Sequence, residues 1–266
     1  MNAIQRRVIF PLLALAPLLA AAADLPALIE RSKPSVVLVG TYSPTDNPRF
    51  GFRGTGFAVA DGSLVISNAH VLPAPDVTEA EQRISIQVRA ANGEWEMRLA
   101  RIAALDRAHD LVALSFDGAA LPALRIAPPA LAQEGRGVLF MGFPIGGALG
   151  FSTVSHRGII SAITPISLPA MNARSLDPRA VRQLRAGSFD ILQLDATAYP
   201  GNSGGPVLDQ ETGEVVGVIN MVLTKAGKES ALSSPSGISY AIPAAAILPL
   251  IESAPKRPPA GTPAPR

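Results

Sequence analysis

The sequence predicts an all-β protein built from antiparallel barrels, and two observations predict it. Short apolar segments succeed one another along the chain, several with every second residue polar, the period of a half-buried strand. Glycine (23 residues) and proline (25) punctuate them at short intervals, as closely turned antiparallel barrels require. At 266 residues and 48% hydrophobic positions, the chain is long enough to bury a full core. No internal repeat of solenoid period is present.

The chain opens with Arg6 and Arg7, an apolar run from Val8 to Leu19, and four alanines, Ala20 to Ala23. A basic start, a short apolar centre and small residues are the layout of an export signal, so residues 1–23 are expected to be cleaved near Ala23 or Asp24. An uncleaved anchor is the alternative. Pro11 and Pro17 interrupt the run, and it falls short of the roughly 20 apolar residues of a spanning helix. The expected location is therefore exported, periplasmic or secreted, in a bacterium, with no stable membrane insertion after cleavage.

Leu25 to Arg31 reads as a short helix and Ser35 to Thr41 as the first strand. Tyr42 to Arg53, with two prolines and Gly51, reads as a loop. Gly54–Ala60 and Ser63–Ser67 form a hairpin across Asp61-Gly62, and Asn68-Ala69-His70 sits where the second strand ends. Ile84, Ile86 and Val88 alternate with polar residues, as do Trp95, Met97 and Leu99 beyond the Asn92-Gly93 turn. Leu111 to Phe116 is a more continuous apolar strand with Asp110 at its mouth. Residues 118–134 cross to a second half with strands at Gly137–Gly142, Phe151–Ile163, Ile191–Asp195, Pro206–Asp209, Val215–Val222 and Gly237–Ile242. Pro243 to Glu252 closes the chain as a helix, and the proline-rich residues 254–266 are expected to be disordered.

Charge and composition exclude several functions. Residues 1–23 hold two arginines and no acid, so 23 basic and 21 acidic residues become 21 of each in the mature chain. Such a balance gives no reason to expect nucleic acid as a partner. The chain has no cysteine, hence no disulfide, no thiol nucleophile and no cysteine zinc site. The three histidines show no paired metal-ligand spacing, and neither a metal nor another cofactor is expected.

The chemistry gathers at Tyr199-Pro200-Gly201-Asn202-Ser203-Gly204-Gly205-Pro206-Val207. Glycines at 201, 204 and 205 permit a tight turn around one serine. Such a turn can aim the amides of Gly201 and Ser203 at one point, as an oxyanion hole requires. A plain β-turn between strands is the competing reading. A phosphate cradle is excluded, because no Gly-x-x-x-x-Gly-Lys pattern occurs. A serine nucleophile also needs a base and a group that orients the base. Upstream stand Gly54-Thr55-Gly56-Phe57-Ala58-Val59, Ser67-Asn68-Ala69-His70 and Ala108-His109-Asp110-Leu111-Val112-Ala113-Leu114.

These stretches, in the order His, Asp, Ser, resemble the chymotrypsin-like serine proteases, and more closely their bacterial HtrA/Deg branch. The resemblance covers about residues 35–252. It implies two six-stranded antiparallel barrels, about 35–117 and about 135–243, in a protease domain over 24–253 that ends in a short helix, with the catalytic groups in the cleft between barrels. It also gives weight to Met141-Gly142-Phe143-Pro144-Ile145-Gly146, Gly158-Ile159-Ile160-Ser161 and Ile238-Ser239-Tyr240-Ala241-Ile242-Pro243. Many members carry a PDZ domain after the protease; only a short tail follows here, so PDZ-mediated capture is not expected.

On this resemblance the expected triad is His70, Asp110 and Ser203, with Gly201 and Ser203 as the oxyanion hole. His109 adjoins Asp110 and on a strand would point the opposite way, so it is not the base that Asp110 orients. His156 is expected near a turn, in a structural or substrate-side role. Asp106 and Asp117 are read as solvated loop acids, whereas Asp110 opens an apolar strand that would half-bury it. The implied activity is a serine endopeptidase acting on exported or misfolded polypeptides; a catalytically silent binding module of the same fold is the alternative.

The resemblance further implies a specificity pocket lined by Thr197, Ala198, Asn220, Met221 and Val222. None carries a carboxylate, and the histidine of glutamyl-specific relatives is absent near Asn220. Cleavage after Ala, Val or Leu is therefore expected. One segment, Thr164 to Ser188, is longer than a hairpin needs. Asp177-Pro178 there resembles a helix start, and Arg179, Arg182 and Arg185 would share one face. That face either keeps the loop soluble or influences the order of the adjacent cleft.

Overall fold

The computed structural model describes residues 24–73, 82–90, 92–146, 150–166, 189–221 and 237–255. The leader, the helix expected from Asp177 with its three arginines, Val222 and the proline-rich tail from residue 256 lie outside the described residues.

Helix α1 (Leu25–Ser32) is capped by the Asp24 carboxylate, which accepts the Ala27 N–H at 3.3 Å. The first barrel follows: β1 (Val36–Tyr42), β2 (Phe50–Val59), β3 (Leu64–Asn68), β4 (Arg83–Arg89), β5 (Trp95–Asp106) and β6 (Leu111–Phe116). The second holds β7 (Gly137–Gly142), β8 (Val154–Pro165), β9 (Asp190–Asp195), β10 (Pro206–Asp209), β11 (Val215–Ile219) and β12 (Ile238–Pro243). All pairings between them are antiparallel, and each set closes into a six-stranded barrel, in the order β1-β2-β3-β6-β5-β4 and β10-β11-β12-β9-β8-β7. The expected all-β, two-barrel class is what the chain adopts.

Alternation explains the cores. Val37, Val39, Val65, Ile86, Val88, Val112 and Leu114 fill the first barrel; Val138, Phe140, Ile160, Leu192, Leu194 and Val207 fill the second. A third cluster lies between the barrels, with Leu38, Phe57, Ile66, Leu111, Leu139, Met141, Phe143 and Leu208 among its buried members. Their apolar faces hold the two barrels together at a gain of about 1.5–3 kcal/mol per buried side chain. Helix α2 (Ile247–Ser253) joins the same cluster through Ile247 and Leu250.

Several boundaries differ from the sequence reading. The expected loop over Tyr42–Arg53 gives up its last residues to β2, where Phe50, Gly51 and Phe52 pair with Tyr42, Thr41 and Gly40. Prolines and Gly51 read as a loop, but the glycine permits close pairing on a strand. Helix α2 starts four residues later than Pro243, because Pro243 ends β12 and Ala244–Ala246 make a tight turn first. Strand β11 ends at Ile219 rather than Val222, since Asn220 turns toward Asp110.

Candidate active site

Sheet register places the first pair of residues. On β3 and β6, Asn68 faces Leu111, so the residues just beyond each strand end meet. The Ala69 N–H donates to the Asp110 carbonyl at 2.9 Å, and the Asn68 amide donates to the same oxygen at 3.1 Å. Asp110 itself sits at φ +54°, a left-handed conformation that turns its carboxylate back toward His70. Its Oδ1 accepts the His70 backbone N–H at 2.9 Å, and its Oδ2 meets His70 Nδ1 at 2.6 Å. With Nδ1–H engaged by a carboxylate, Nε2 is left as the basic nitrogen.

Ser203 arrives from the second barrel. The Gly204 N–H donates to Ile219 O and the Ile219 N–H to Gly205 O, both at 2.9 Å, which moors the turn to β11. Gly204 (φ +86°) needs its missing side chain as well, because a Cβ there would strike the Thr55 carbonyl and Ser67 Oγ. The serine therefore lies against the segment that leads into His70. From the other side, a Cβ on Gly54 would stand 2.8 Å from Val71 Cγ2 and 2.9 Å from Ser203 O. Gly54 thus separates the residue after His70 from the serine by the width of one backbone. Ser203 is 5% exposed, and its Oγ accepts a long 3.4 Å hydrogen bond from the Met221 N–H.

An accounting of the turn's backbone groups leaves two donors over. The carbonyls of Pro200, Gly201, Asn202 and Ser203 accept from Ile145 N–H (2.7 Å), Thr55 Oγ1 (2.7 Å), Gly205 N–H (2.9 Å) and Thr55 N–H (2.9 Å) respectively. The amides of Asn202, Gly204 and Gly205 donate to Tyr199 O, Ile219 O and Asn202 O. Among the described residues, the amides of Gly201 and Ser203 meet no acceptor. The Pro200–Gly201 peptide is turned so that its carbonyl faces Ile145, and in a trans peptide the Gly201 N–H then points the opposite way. Two unengaged N–H groups flanking a serine can bind a carbonyl oxygen that gains negative charge.

The pocket residues separate. Ala198 is buried, and its N–H donates to Ser239 Oγ at 2.8 Å, while the Ser239 hydroxyl donates to Ala196 O at 2.7 Å. Thr197 lies between them, half-buried. Asn220 was expected on the pocket wall; its side-chain amide instead donates to Asp110 Oδ2 at 2.8 Å. There it opposes rotation of the carboxylate. Met221 contributes its backbone to the serine, and Val222 is outside the described residues.

The other histidines take different places from the one that meets Asp110. His109 Nδ1 bonds Asp106 Oδ2 at 2.6 Å, and its ring lies 4.5 Å from that of Phe189. Asp106 is therefore no solvated loop acid: it ends β5, and although burial pushes its pKa up, the hydrogen bonds from His109 outweigh this and hold it below the ordinary carboxylate range. Asp117 pairs with Arg101 at 2.8 Å on the surface. His156 is inside β8 rather than near a turn, opposite Phe140, with the rings stacked 4.7 Å apart. Its Nε2 stands 3.4 Å from Asn202 Nδ2, and burial lowers its pKa.

Sequence reasoning gave no role to Thr55, Ile145 or Ser239. Each lay within a stretch that the resemblance singled out, but nothing in those stretches marked which atom meets the turn.

Comparison with known proteins adds a second line of observation. The family model "Trypsin-like peptidase domain" matches residues 54–218. A probable periplasmic serine endoprotease DegP-like from Marinomonas sp. (strain MWYL1) is 28% identical over 213 residues, covering 80% of this chain and 38% of that protein. The mitochondrial serine protease HTRA2 of Drosophila pseudoobscura pseudoobscura is 30% identical over 207 residues, covering 77% of this chain and 40% of that protein. The chain thus spans about two fifths of the length of these curated relatives. Among solved structures, the HtrA-type protease AlgW with tripeptide shares the fold at a TM-score of 0.60 and 24% identity, covering 86% of this chain and 63% of that one. Deg5 does so at 0.58 and 22%, covering 84% of this chain and 90% of the other.

Proposed function

The chain belongs to the trypsin-like peptidase family, in its HtrA branch, and from that premise we propose that it is a serine endopeptidase cleaving exported or misfolded polypeptides. The observation that carries this reading is the turn in which the backbone carbonyls from Pro200 to Ser203 are all engaged while the Gly201 and Ser203 amides meet no acceptor among the described residues. A silent module has no need to hold two donors open beside a serine.

The mechanism follows from the groups present. His70 Nε2 takes the proton of Ser203 Oγ as that oxygen attacks a peptide carbonyl. Asp110, accepting from Nδ1–H, keeps the imidazole in the required tautomer and stabilises its charged form. The carbonyl oxygen becomes an oxyanion bound by the amides of Gly201 and Ser203. His70 then gives its proton to the leaving amine. It next takes a proton from water as that water attacks the acyl-enzyme, and returns it to Ser203 Oγ as the acyl group leaves as a carboxylic acid. Each oxyanion donor contributes roughly a hundredfold or more to turnover.

The pocket reading rests on Thr197, Ala198 and the Ser239 hydroxyl that ties the segment to β12. None of these can pair with a buried lysine or arginine, and an unpaired buried charge is costly. Small to medium aliphatic residues are the expected preference, and mass spectrometry of digests should show cuts after Ala, Val or Leu rather than after Lys or Arg. Export to a bacterial periplasm or exterior is supported by the leader and by the periplasmic relative; a mitochondrial relative also matches.

Digestion of unfolded casein by the mature protein and by Ser203→Ala, with circular dichroism as the fold control, tests the reading. Wild type is expected to cleave and the variant to be inert. Equal cleavage by both would overturn the mechanism, and a wild type that leaves casein intact would favour the silent module.

A further inference from the structure

Thr55 is buried in β2 of the first barrel, yet much of its polar bonding reaches the turn that carries Ser203. Its N–H donates to Ser203 O at 2.9 Å. Its hydroxyl donates to Gly201 O at 2.7 Å and accepts the Phe143 N–H at 3.2 Å. Its carbonyl accepts from Ser67 Oγ at 2.7 Å, three residues before His70. One residue thereby links the approach to His70, the end of β7 and both oxyanion donors' residues.

Gly201 is the residue this arrangement fixes. Its conformation, φ +102°, is one that only glycine adopts readily. The peptide before its α-carbon is held by Ile145 N–H on Pro200 O, and the peptide after it by Thr55 Oγ1 on Gly201 O. With both flanking peptides pinned, the direction of the Gly201 N–H is set. We infer that the Thr55 hydroxyl is a positioning group for the oxyanion site, aiming the Gly201 amide from the opposite barrel. The inference rests on the peptidase reading given above.

The hydroxyl is suited to the task because one oxygen serves as donor and acceptor together. Valine has nearly the same shape but neither capacity. In Thr55→Val the half-buried Gly201 carbonyl and the buried Phe143 amide would both lose their partner, and such groups move to find another. The Gly201 amide would swing with them. Binding of the ground-state peptide makes little use of that amide, whereas the tetrahedral intermediate depends on it.

Steady-state kinetics on a peptide substrate, with inhibition by a peptide aldehyde and by the matching product peptide, provide the test. The aldehyde adds to Ser203 and presents an oxyanion; the product peptide, used with its C-terminal carboxylate reduced to the alcohol, presents none. For Thr55→Val we expect kcat to fall about thirty- to a hundredfold, somewhat less than for outright loss of a donor. KM should stay within about threefold. Aldehyde affinity should fall alongside kcat while product affinity holds, and Thr55→Ser should stay within about threefold of wild type, since the hydroxyl is kept. Rates are referred to folded enzyme by circular dichroism, and if Thr55→Val does not fold, Thr55→Ala takes the same measurements. A kcat unchanged without the hydroxyl, equal losses in the Val and Ser variants, or equal weakening of aldehyde and product would each overturn the inference. A wild type with no peptidase activity would instead overturn the reading on which it rests.

Discussion

Replacing Gly201 with alanine puts a methyl group against the Phe143 carbonyl, and 3.2 Å from Cε1 of Phe52. The backbone there, at φ +102°, is one that side-chain-bearing residues rarely adopt, and holding an alanine in such a region costs about 1–3 kcal/mol. The relief available is rotation of the Pro200–Gly201 peptide, which breaks the bond to Ile145 N–H and withdraws the residue-201 amide from the proposed oxyanion hole. Loss of one oxyanion donor lowers kcat by about 10²–10³, or roughly 3–4 kcal/mol of transition-state binding. The strain itself, if about 2 kcal/mol, lowers Tm by only about 4–8 °C. Gly201→Ala should therefore remain folded at assay temperature and be nearly inert. Peptide hydrolysis with the folded fraction fixed by circular dichroism measures both. A variant within about threefold of wild-type kcat would refute the assignment of that amide to the oxyanion hole.

Other consequences follow from groups away from the serine. Asp209 is 1% exposed and its Oδ2 lies 2.6 Å from Arg136 Nη2; the Glu211 and Thr212 amides also donate to its Oδ1. Arg136→Met strands the carboxylate with those two donors alone, so thermal denaturation should show a loss of about 2–3 kcal/mol, below the full 3–5 of a broken buried pair, with kcat unchanged. Burial lowers the pKa of His156, so the unfolded chain takes up that proton first. Its contribution to stability is present above about pH 6.5 and is lost as pH falls below that value. Urea midpoints measured from roughly pH 7.5 down to 5.5 should drop more steeply for wild type than for His156→Gln, and parallel curves would remove His156 as a source of acid sensitivity.

How much of this was legible in the sequence depends on how local each feature is. Strands such as Leu111–Phe116 and Gly137–Gly142 declare themselves by apolar runs between turn residues, and the structure ends them at the same residues. The meeting of His70 and Asp110 follows from one strand pair, Asn68 opposite Leu111, so two short motifs sufficed to suggest it. Phe50 to Arg53 misled because Gly51 and two nearby prolines look like a loop, while the pairing with Gly40–Tyr42 that makes them a strand is a tertiary fact. Asn220 misled differently: its position fits a pocket wall, but a carboxylate 110 residues away captures its amide. In the sequence Thr55 is legible only as part of a motif, since its hydroxyl bonds a carbonyl 146 residues further along the chain. No periodicity reports such a contact.

The most direct test of the account is covalent. A fluorophosphonate reacts with a serine only when a base activates it and an oxyanion hole receives the phosphoryl oxygen. Incubation of the mature protein with such a probe, followed by intact-mass and peptide-mapping mass spectrometry, should find one adduct, located on Ser203, and none in His70→Ala. Absence of an adduct on folded wild type, or an adduct on another residue, would contradict the claim that His70, Asp110 and Ser203 form a working nucleophilic site.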